Sequence, residues 1–369
     1  MLWWATGRLG RLWALGDRIR VLVFRPLIPV VIGAIVCVTT EAQSVPPAPP
    51  PISASPLDVD AIAKAAGDLP RLHSLLVSWR GSLIVERYFN GAGPARLANI
   101  KSASKSVISA LVGSAIERRL IAGVQQPIAP FFRDQLGREA DPRTSQITIE
   151  NLLTMQSGLA STSNRNYGAW VRSPNWVRHV LTRPIESEPG TTMRYSTGNT
   201  HLLSAILTKV SGKSTWQLAQ ETLARPLGFS LAEWPRDPQG VYFGGNDMLL
   251  TPRQMLAFGE LYLHRGRAND RQIVPAGWVE ASLIPRTRSN ISGQDYGYGW
   301  WSREMAGVRA FFAWGFGGQF IFVVPALDLT IASTSAATVS DDRRSHRLTV
   351  DALIERLVVA PISALAPSQ

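Results

Sequence analysis

The chain has 369 residues, 45% of them hydrophobic, and a formal charge of +11. That length suits two or three average domains, or one large enzyme with an inserted subdomain, and its core can be large. The excess charge is mostly scattered arginine, with no run longer than the pairs Arg118-Arg119 and Arg343-Arg344, no zinc-finger spacing and no basic helix interleaved with aromatics, so nucleic-acid binding has little support.

Residues 1–44 read as an export segment. Arg8, Arg11, Arg18, Arg20 and Arg25 form a long positive region, and an uncharged apolar run over 26–38 follows. That run is too short to span a bilayer comfortably. Thr40-Glu41-Ala42 supplies a small-x-small cleavage site, and cleavage after Ala42 would place the rest in the periplasm or outside the cell. The alternative is membrane attachment through an uncleaved 1–44. A Pro-rich linker covers 45–56, stiff and extended over 46–51.

The folded body is expected over 57–360. A helix is expected over 57–66, then a β-hairpin of 74–79 and 82–89 turning at Arg80-Gly81. From about 120 to 290 the pattern is mostly helical with Pro/Gly-rich connections. Residues 147–153 read as a strand end entering a short helix. Clearer helices cover 201–211 and 252–263, followed by the stop signals Gly212 and Gly266. Strand character returns over 296–301, 308–314, 318–324 and 329–334, and a last helix covers 342–359. Strands at both ends with helices between them predict an α+β fold: an antiparallel sheet built from both chain ends, flanked by helices, with an inserted helical region.

Ser102-Ala103-Ser104-Lys105 is the only place where a serine stands three residues before a lysine, in a chain with five lysines. The apolar run over 107–116 has helical spacing, which puts Ser102 and Lys105 one turn apart on one face at the helix start. A serine there lies among unpaired N–H groups, and a neutral lysine beside it can take its proton. A helix cap next to a solvated lysine would produce the same four residues. The one cysteine, Cys37, lies in the N-terminal segment, so the body has no disulfide and no thiol nucleophile. The five histidines show no His-x-x-x-His or Glu-x-x-His spacing; no metal site is expected, and no cofactor.

Beyond that stretch, further segments occur in a telling order. They are Ile149-Glu150-Asn151-Leu152-Leu153-Thr154-Met155-Gln156-Ser157-Gly158-Leu159, then Pro189-Gly190 with Tyr195-Ser196, then Arg225-Pro226-Leu227-Gly228, Thr251-Pro252-Arg253-Gln254-Met255 and Trp314-Gly315-Phe316-Gly317-Gly318-Gln319. With Lys101-Ser102-Ala103-Ser104-Lys105-Ser106, the chain resembles over most of 60–355 the serine hydrolases related to class C β-lactamases, penicillin-binding proteins and D-alanyl-D-alanine carboxypeptidases. The resemblance implies Ser102 as nucleophile, Lys105 and Tyr195 as acid/base groups, and an oxyanion hole from the N–H groups of Ser102 and Phe316, with Gly315 and Gly317 letting the strand lie close to substrate.

Two departures bear on substrate. The usual Tyr-x-Asn is Tyr195-Ser196-Thr197 here, with Asn199 two residues on; the literal match at Tyr88-Phe89-Asn90 precedes the nucleophile and reads as strand. Lys-Thr-Gly is absent, and Trp314 stands nearest that place. The Gly-x-Gly-Gly-Gln form is closer to the family's esterases and 6-aminohexanoate-oligomer hydrolases. A serine hydrolase of small esters or amides is therefore expected, the alternatives being a β-lactamase or D-alanyl-D-alanine carboxypeptidase, and an exported sensor that acylates without turnover. A Ser-His-Asp enzyme would show Gly-x-Ser-x-Gly, which is missing. Thr197, Trp314, Gly315, Gly317, Tyr167 and Trp170 are candidate substrate contacts, Tyr167 and Trp170 together with Trp176 as a cover over the cleft. Gln319 is read as structural, and His201 as a packed or exposed histidine.

Overall fold

The computed structural model describes residues 56–137 and 141–365. The expected export segment 1–44, Cys37, the cleavage position after Ala42 and the linker up to residue 55 lie outside them.

Asp58 caps α1 (Val59–Gly67), its carboxylate accepting the Ala61 N–H at 2.9 Å, and the helix turns Ile62 and Ala66 inward. Next come β1 (Leu72–Trp79) and β2 (Ser82–Tyr88), the expected hairpin. Arg80 and Gly81 between them have φ of 50° and 73°, which matches the twist of a two-residue hairpin turn. After β3 (Ala98–Asn99), α2 (Ser104–Glu117) is buried at every position from Ser104 to Ala115, so it is a central helix rather than a surface one.

The insert then runs through α3 (Ile149–Leu153), α4 (Tyr167–Val171), α5 (Trp176–Leu181), α6 (Thr197–Ser211) and α7 (Thr215–Ala219). It continues with β4 (Leu249–Leu250), paired with β3, then α8 (Pro252–Leu263), the small hairpin of β5 (Arg267–Ala268) and β6 (Arg271–Gln272), and α9 (Ala276–Leu283). Three expectations change here. At 147–148 the expected strand end is a single antiparallel bridge of Thr148 with Pro127, and Thr148 also caps α3: its hydroxyl accepts the Asn151 N–H and the Asn151 side chain accepts the Thr148 N–H. Helix α6 starts at Thr197, four residues before the expected 201. Residues 229–248 hold no helix, consistent with Pro235, Pro238, Gly240, Gly244 and Gly245 in that stretch.

β7 (Thr287–Arg288), β8 (Asp295–Tyr296), β9 (Trp301–Met305), β10 (Val308–Gly315), β11 (Gln319–Val324) and β12 (Leu329–Ser335) complete an eight-stranded sheet of order β2-β1-β12-β11-β10-β9-β8-β7. Its pairings are antiparallel; Leu75 of β1 lies opposite Ser333 of β12 and Val77 opposite Ile331, so both ends of the fold share one sheet, as expected. The strand expected over 296–301 is broken into β8 and β9. The carbonyl of Gly299 between them accepts the Ser106 hydroxyl at 2.7 Å, which ties that loop to α2.

β11 and β12 are buried along their whole length because both sheet faces are covered. Ile321, Val323 and Ala332 join the core with α2 and α8, while Phe320, Phe322 and Ile331 join the core with α1 and α10 (Arg343–Ile354). No helix among the described residues is long and apolar enough to cross a membrane.

Candidate active site

Ser102 sits in the 3-10 turn Lys101–Ala103 that feeds α2. Lys101 has φ of +50°, a left-handed conformation uncommon for a residue with a side chain. Neighbouring contacts hold it there. The Lys101 N–H donates to Asn99 Oδ1 at 3.0 Å, and Lys101 Nζ and Asn99 Nδ2 both donate to Asp247 Oδ1, at 2.8 and 2.7 Å. The strain lies immediately before the nucleophile, where it fixes the entry of the chain into α2.

Lys105 is 1% exposed. Its Nζ lies 3.0 Å from Ser102 Oγ, 2.6 Å from the Gly245 carbonyl oxygen and 3.3 Å from Thr197 Oγ1. Burial lowers its pKa to about 7, against the opposing pull of the Asp247 carboxylate. A neutral amine has two N–H groups and one lone pair. Gly245 and Thr197 can take the two N–H groups, which leaves the lone pair for the Ser102 hydroxyl.

Tyr195 stacks on Trp301 with ring centroids 5.7 Å apart and meets Tyr296 edge-on at 6.5 Å. Its ring centroid is 5.0 Å from Lys105 Nζ. Burial pushes its phenol up, and a hydrogen bond with Ser102 works the other way. Ser102, Lys105 and Tyr195 are thus brought together from the start of α2 and the loop before α6.

β10 ends against the nucleophile turn. A side chain at Gly315 would put its Cβ 2.1 Å from the Ile100 carbonyl oxygen, so glycine is what lets the strand lie there. Phe316, 38% exposed, and Gly317 follow in the turn. Trp314 is half-buried, 5.7 Å from Trp301, with the Arg347 guanidinium over its ring at 4.7 Å. Arg343 stands 5.7 Å from the Phe316 ring. Gln319 is structural, as read from the sequence: its side chain donates to the Ser335 carbonyl at 2.7 Å and accepts the Ser335 N–H at 3.1 Å.

The structure sorts the remaining candidates. Thr197 reaches Lys105, as given above, and also meets Ser163 Oγ at 3.0 Å. Asn199 does not take the place of the usual asparagine, because its carbonyl oxygen accepts from Ser157 at 3.1 Å in the interior. Tyr167 is half-buried, its hydroxyl accepting from Asn246 at 2.7 Å. Burial and the Asp247 charge push its phenol up to about 12, against the Asn246 hydrogen bond. Trp170 is a correction. It is wholly buried against Trp176, His201 and Phe243, with Nε1 donating to the Trp176 carbonyl, and Trp176 is buried too. The turn of α4 carries Trp170 into the core while Tyr167 stays half-buried beside Asn246.

Sequence reading missed Asn99, Gly245 and Asp247. Gly244-Gly245-Asn246-Asp247 is visible as turn chemistry, but a backbone carbonyl that binds a lysine leaves no side-chain signature. Among the described residues no group of three or more His, Cys, Asp or Glu side chains could hold a metal ion.

An antiparallel sheet with a helical insert, and a serine, lysine and tyrosine gathered beside the end of β10, define the class as hydrolases of the β-lactamase/transpeptidase-like fold. The Beta-lactamase family profile matches residues 72–355, and the chain belongs to that family. The 6-aminohexanoate-dimer hydrolase of Paenarthrobacter ureafaciens is 24% identical over 311 residues, 75% of this chain and 76% of that protein. Among solved structures, a Bacillus anthracis protein provisionally assigned as a 6-aminohexanoate-dimer hydrolase superposes with a TM-score of 0.67 at 21% identity, covering 83% of each chain. The hydrolase EstCE1, which has promiscuous acyltransferase activity, gives a TM-score of 0.63 at 17% identity over 80% of this chain and 97% of its own.

Proposed function

We propose that this chain hydrolyses small esters or amides through an acyl-enzyme on Ser102. The observation that carries the reading is the setting of Lys105: a buried amine 3.0 Å from a serine hydroxyl, its two other contacts being neutral acceptors. Ser102 gives its proton to Lys105 Nζ as Oγ attacks the carbonyl carbon. The N–H groups of Ser102 and Phe316 receive the developing oxyanion. Tyr195 passes a proton to the leaving oxygen or nitrogen and is reprotonated from Lys105. Water then repeats the attack on the acyl group, losing its proton to the same pair and freeing Ser102.

The pH dependence follows from the sign of the lysine shift. The neutral amine is the active form, and it prevails above about 7. kcat/KM is expected to rise through that pH and then level off, in a profile taken from about pH 5 to about pH 9 and corrected for spontaneous hydrolysis. A flat profile would contradict a lysine base.

Substrate class is tested with a panel of short p-nitrophenyl esters, a chromogenic cephalosporin, D-Ala-D-Ala peptides and linear amide oligomers. Short activated esters are expected to exceed the cephalosporin in kcat/KM. A β-lactam carries a carboxylate; Trp314 stands nearest the place of the family's Lys-Thr-Gly lysine, and the cations beside it, Arg347 and Arg343, lie over the Trp314 and Phe316 rings. A charge-assisted hydrogen bond contributes roughly 1.5–3 kcal/mol, so its absence lowers efficiency about ten- to a hundredfold. A cephalosporin with the higher kcat/KM would make this a β-lactamase in practice. One equivalent of bound label with no continuing product would favour the acylatable sensor.

A further inference from the structure

Helix α6 presents Thr197, Thr200, His201 and Ser204 at one-turn spacing, and residues 242–245 run along that side. Ser204 Oγ donates to the Tyr242 carbonyl at 2.7 Å, and His201 Nδ1 accepts the Gly244 N–H at 3.3 Å. The next residue, Gly245, supplies the carbonyl that binds Lys105 Nζ at 2.6 Å. The fit leaves no room for a side chain: a Cβ at Gly244 would stand 2.4 Å from the Thr200 carbonyl oxygen and from Ser204 Cβ.

His201 Nε2 lies 3.0 Å from Asp237 Oδ2, and both side chains are fully buried. Asp237 Oδ1 accepts the N–H groups of Gln239 and Val241 at 2.9 and 2.8 Å. Trp170, Trp176 and Phe243 enclose the imidazole at centroid distances of 5.7, 5.4 and 5.9 Å. Because Gly244 donates to Nδ1, the imidazole proton is on Nε2 and is given to Asp237.

We propose that His201 is a positioning residue for Lys105: with the buried Asp237 keeping its proton on Nε2, its Nδ1 holds the Gly244 amide and thereby fixes the Gly245 carbonyl against Nζ, which keeps the amine's lone pair on Ser102. The proposal rests on the reading of Lys105 as the base. His201 touches no reacting atom and acts through one peptide unit. The titratable groups around Lys105 are Asp247, its ion-pair partner Lys101, Tyr195, and Tyr167 through Asn246. His201 faces Asp237 and otherwise the three aromatic rings.

Two substitutions separate the two contacts. His201→Asn keeps an acceptor near the Nδ1 position for Gly244 and drops the Asp237 contact. His201→Gln keeps an N–H near the Nε2 position for Asp237 and drops the Gly244 contact. With a short ester, His201→Asn is expected to hold kcat within about threefold of wild type. His201→Gln is expected to lose about ten- to a hundredfold in kcat with KM little changed, the scale of a small misplacement at a reacting group. Its acid limb should also move away from the wild-type position. Equal losses in the two variants, no loss in His201→Gln, or an unmoved acid limb would overturn the proposal. Lys105→Ala is assayed beside them. Loss of activity there, with no difference between the histidine variants, removes the positioning role alone; retained activity removes the lysine base and the proposal with it. If either variant fails to fold, side-chain 15N NMR of wild type decides. A neutral His201 carrying its proton on Nε2 at the assay pH supports the proposal, and a proton on Nδ1 overturns it.

Discussion

Ser102→Ala is expected to abolish measurable turnover of a short p-nitrophenyl ester, by about four orders of magnitude or more. The oxygen it removes forms the covalent bond, and no other group at the site can replace it: Lys105 is confined to three contacts, and Tyr195 is held against Trp301. Ser102 lies in a turn whose shape is set by Lys101, Asn99 and Asp247, so the thermal midpoint should change little. Intact-mass spectra of wild type with a slow substrate should show the acyl adduct, and those of the variant should not. Most of the activity surviving in a clean preparation would sink the assignment of Ser102.

Lys105→Ala and Tyr195→Phe should each reduce kcat/KM at least about a hundredfold, the usual scale of general acid–base help. The two groups share one proton path, so the double variant should fall far short of the product of the single losses. Fully multiplicative losses would mean that they act independently. Lys105→Ala also empties a buried site and is compared at matched folded fraction, because a cavity of that size lowers stability by itself. Tyr195→Phe keeps the ring on Trp301 and removes only the hydroxyl, which makes it the cleaner measure. A chelator should leave all rates unchanged; zinc-reversible inhibition would point to different chemistry.

Much of the fold was legible because its signals are local. Apolar runs bounded by turn signals marked the hairpin of β1 and β2 and the strands β10 to β12, and a glycine stop placed the end of α8. The misreadings have physical causes. Strand character at 147–148 ends after one bridge, Thr148 with Pro127, because the Thr148 hydroxyl caps α3. Residues 297–300 look like strand, yet that loop is bound to α2 through Gly299. Trp170 and Trp176 looked like a cleft cover because an aromatic on a short segment carries no mark of which way it points.

By itself the sequence determined that the two chain ends share a sheet and that Ser102 and Lys105 stand one turn apart, since three residues of helix are enough to set that distance. It also named Tyr195 by its place in the order of motifs. Only the tertiary structure decided what surrounds Lys105. The Gly245 carbonyl arrives from 140 residues away and Thr197 from 92, and the loss of water that lowers the amine's pKa comes from the packing of the insert around both. Long-range approach of backbone atoms and exclusion of solvent depend on the whole chain at once, so no local pattern of residue types encodes them.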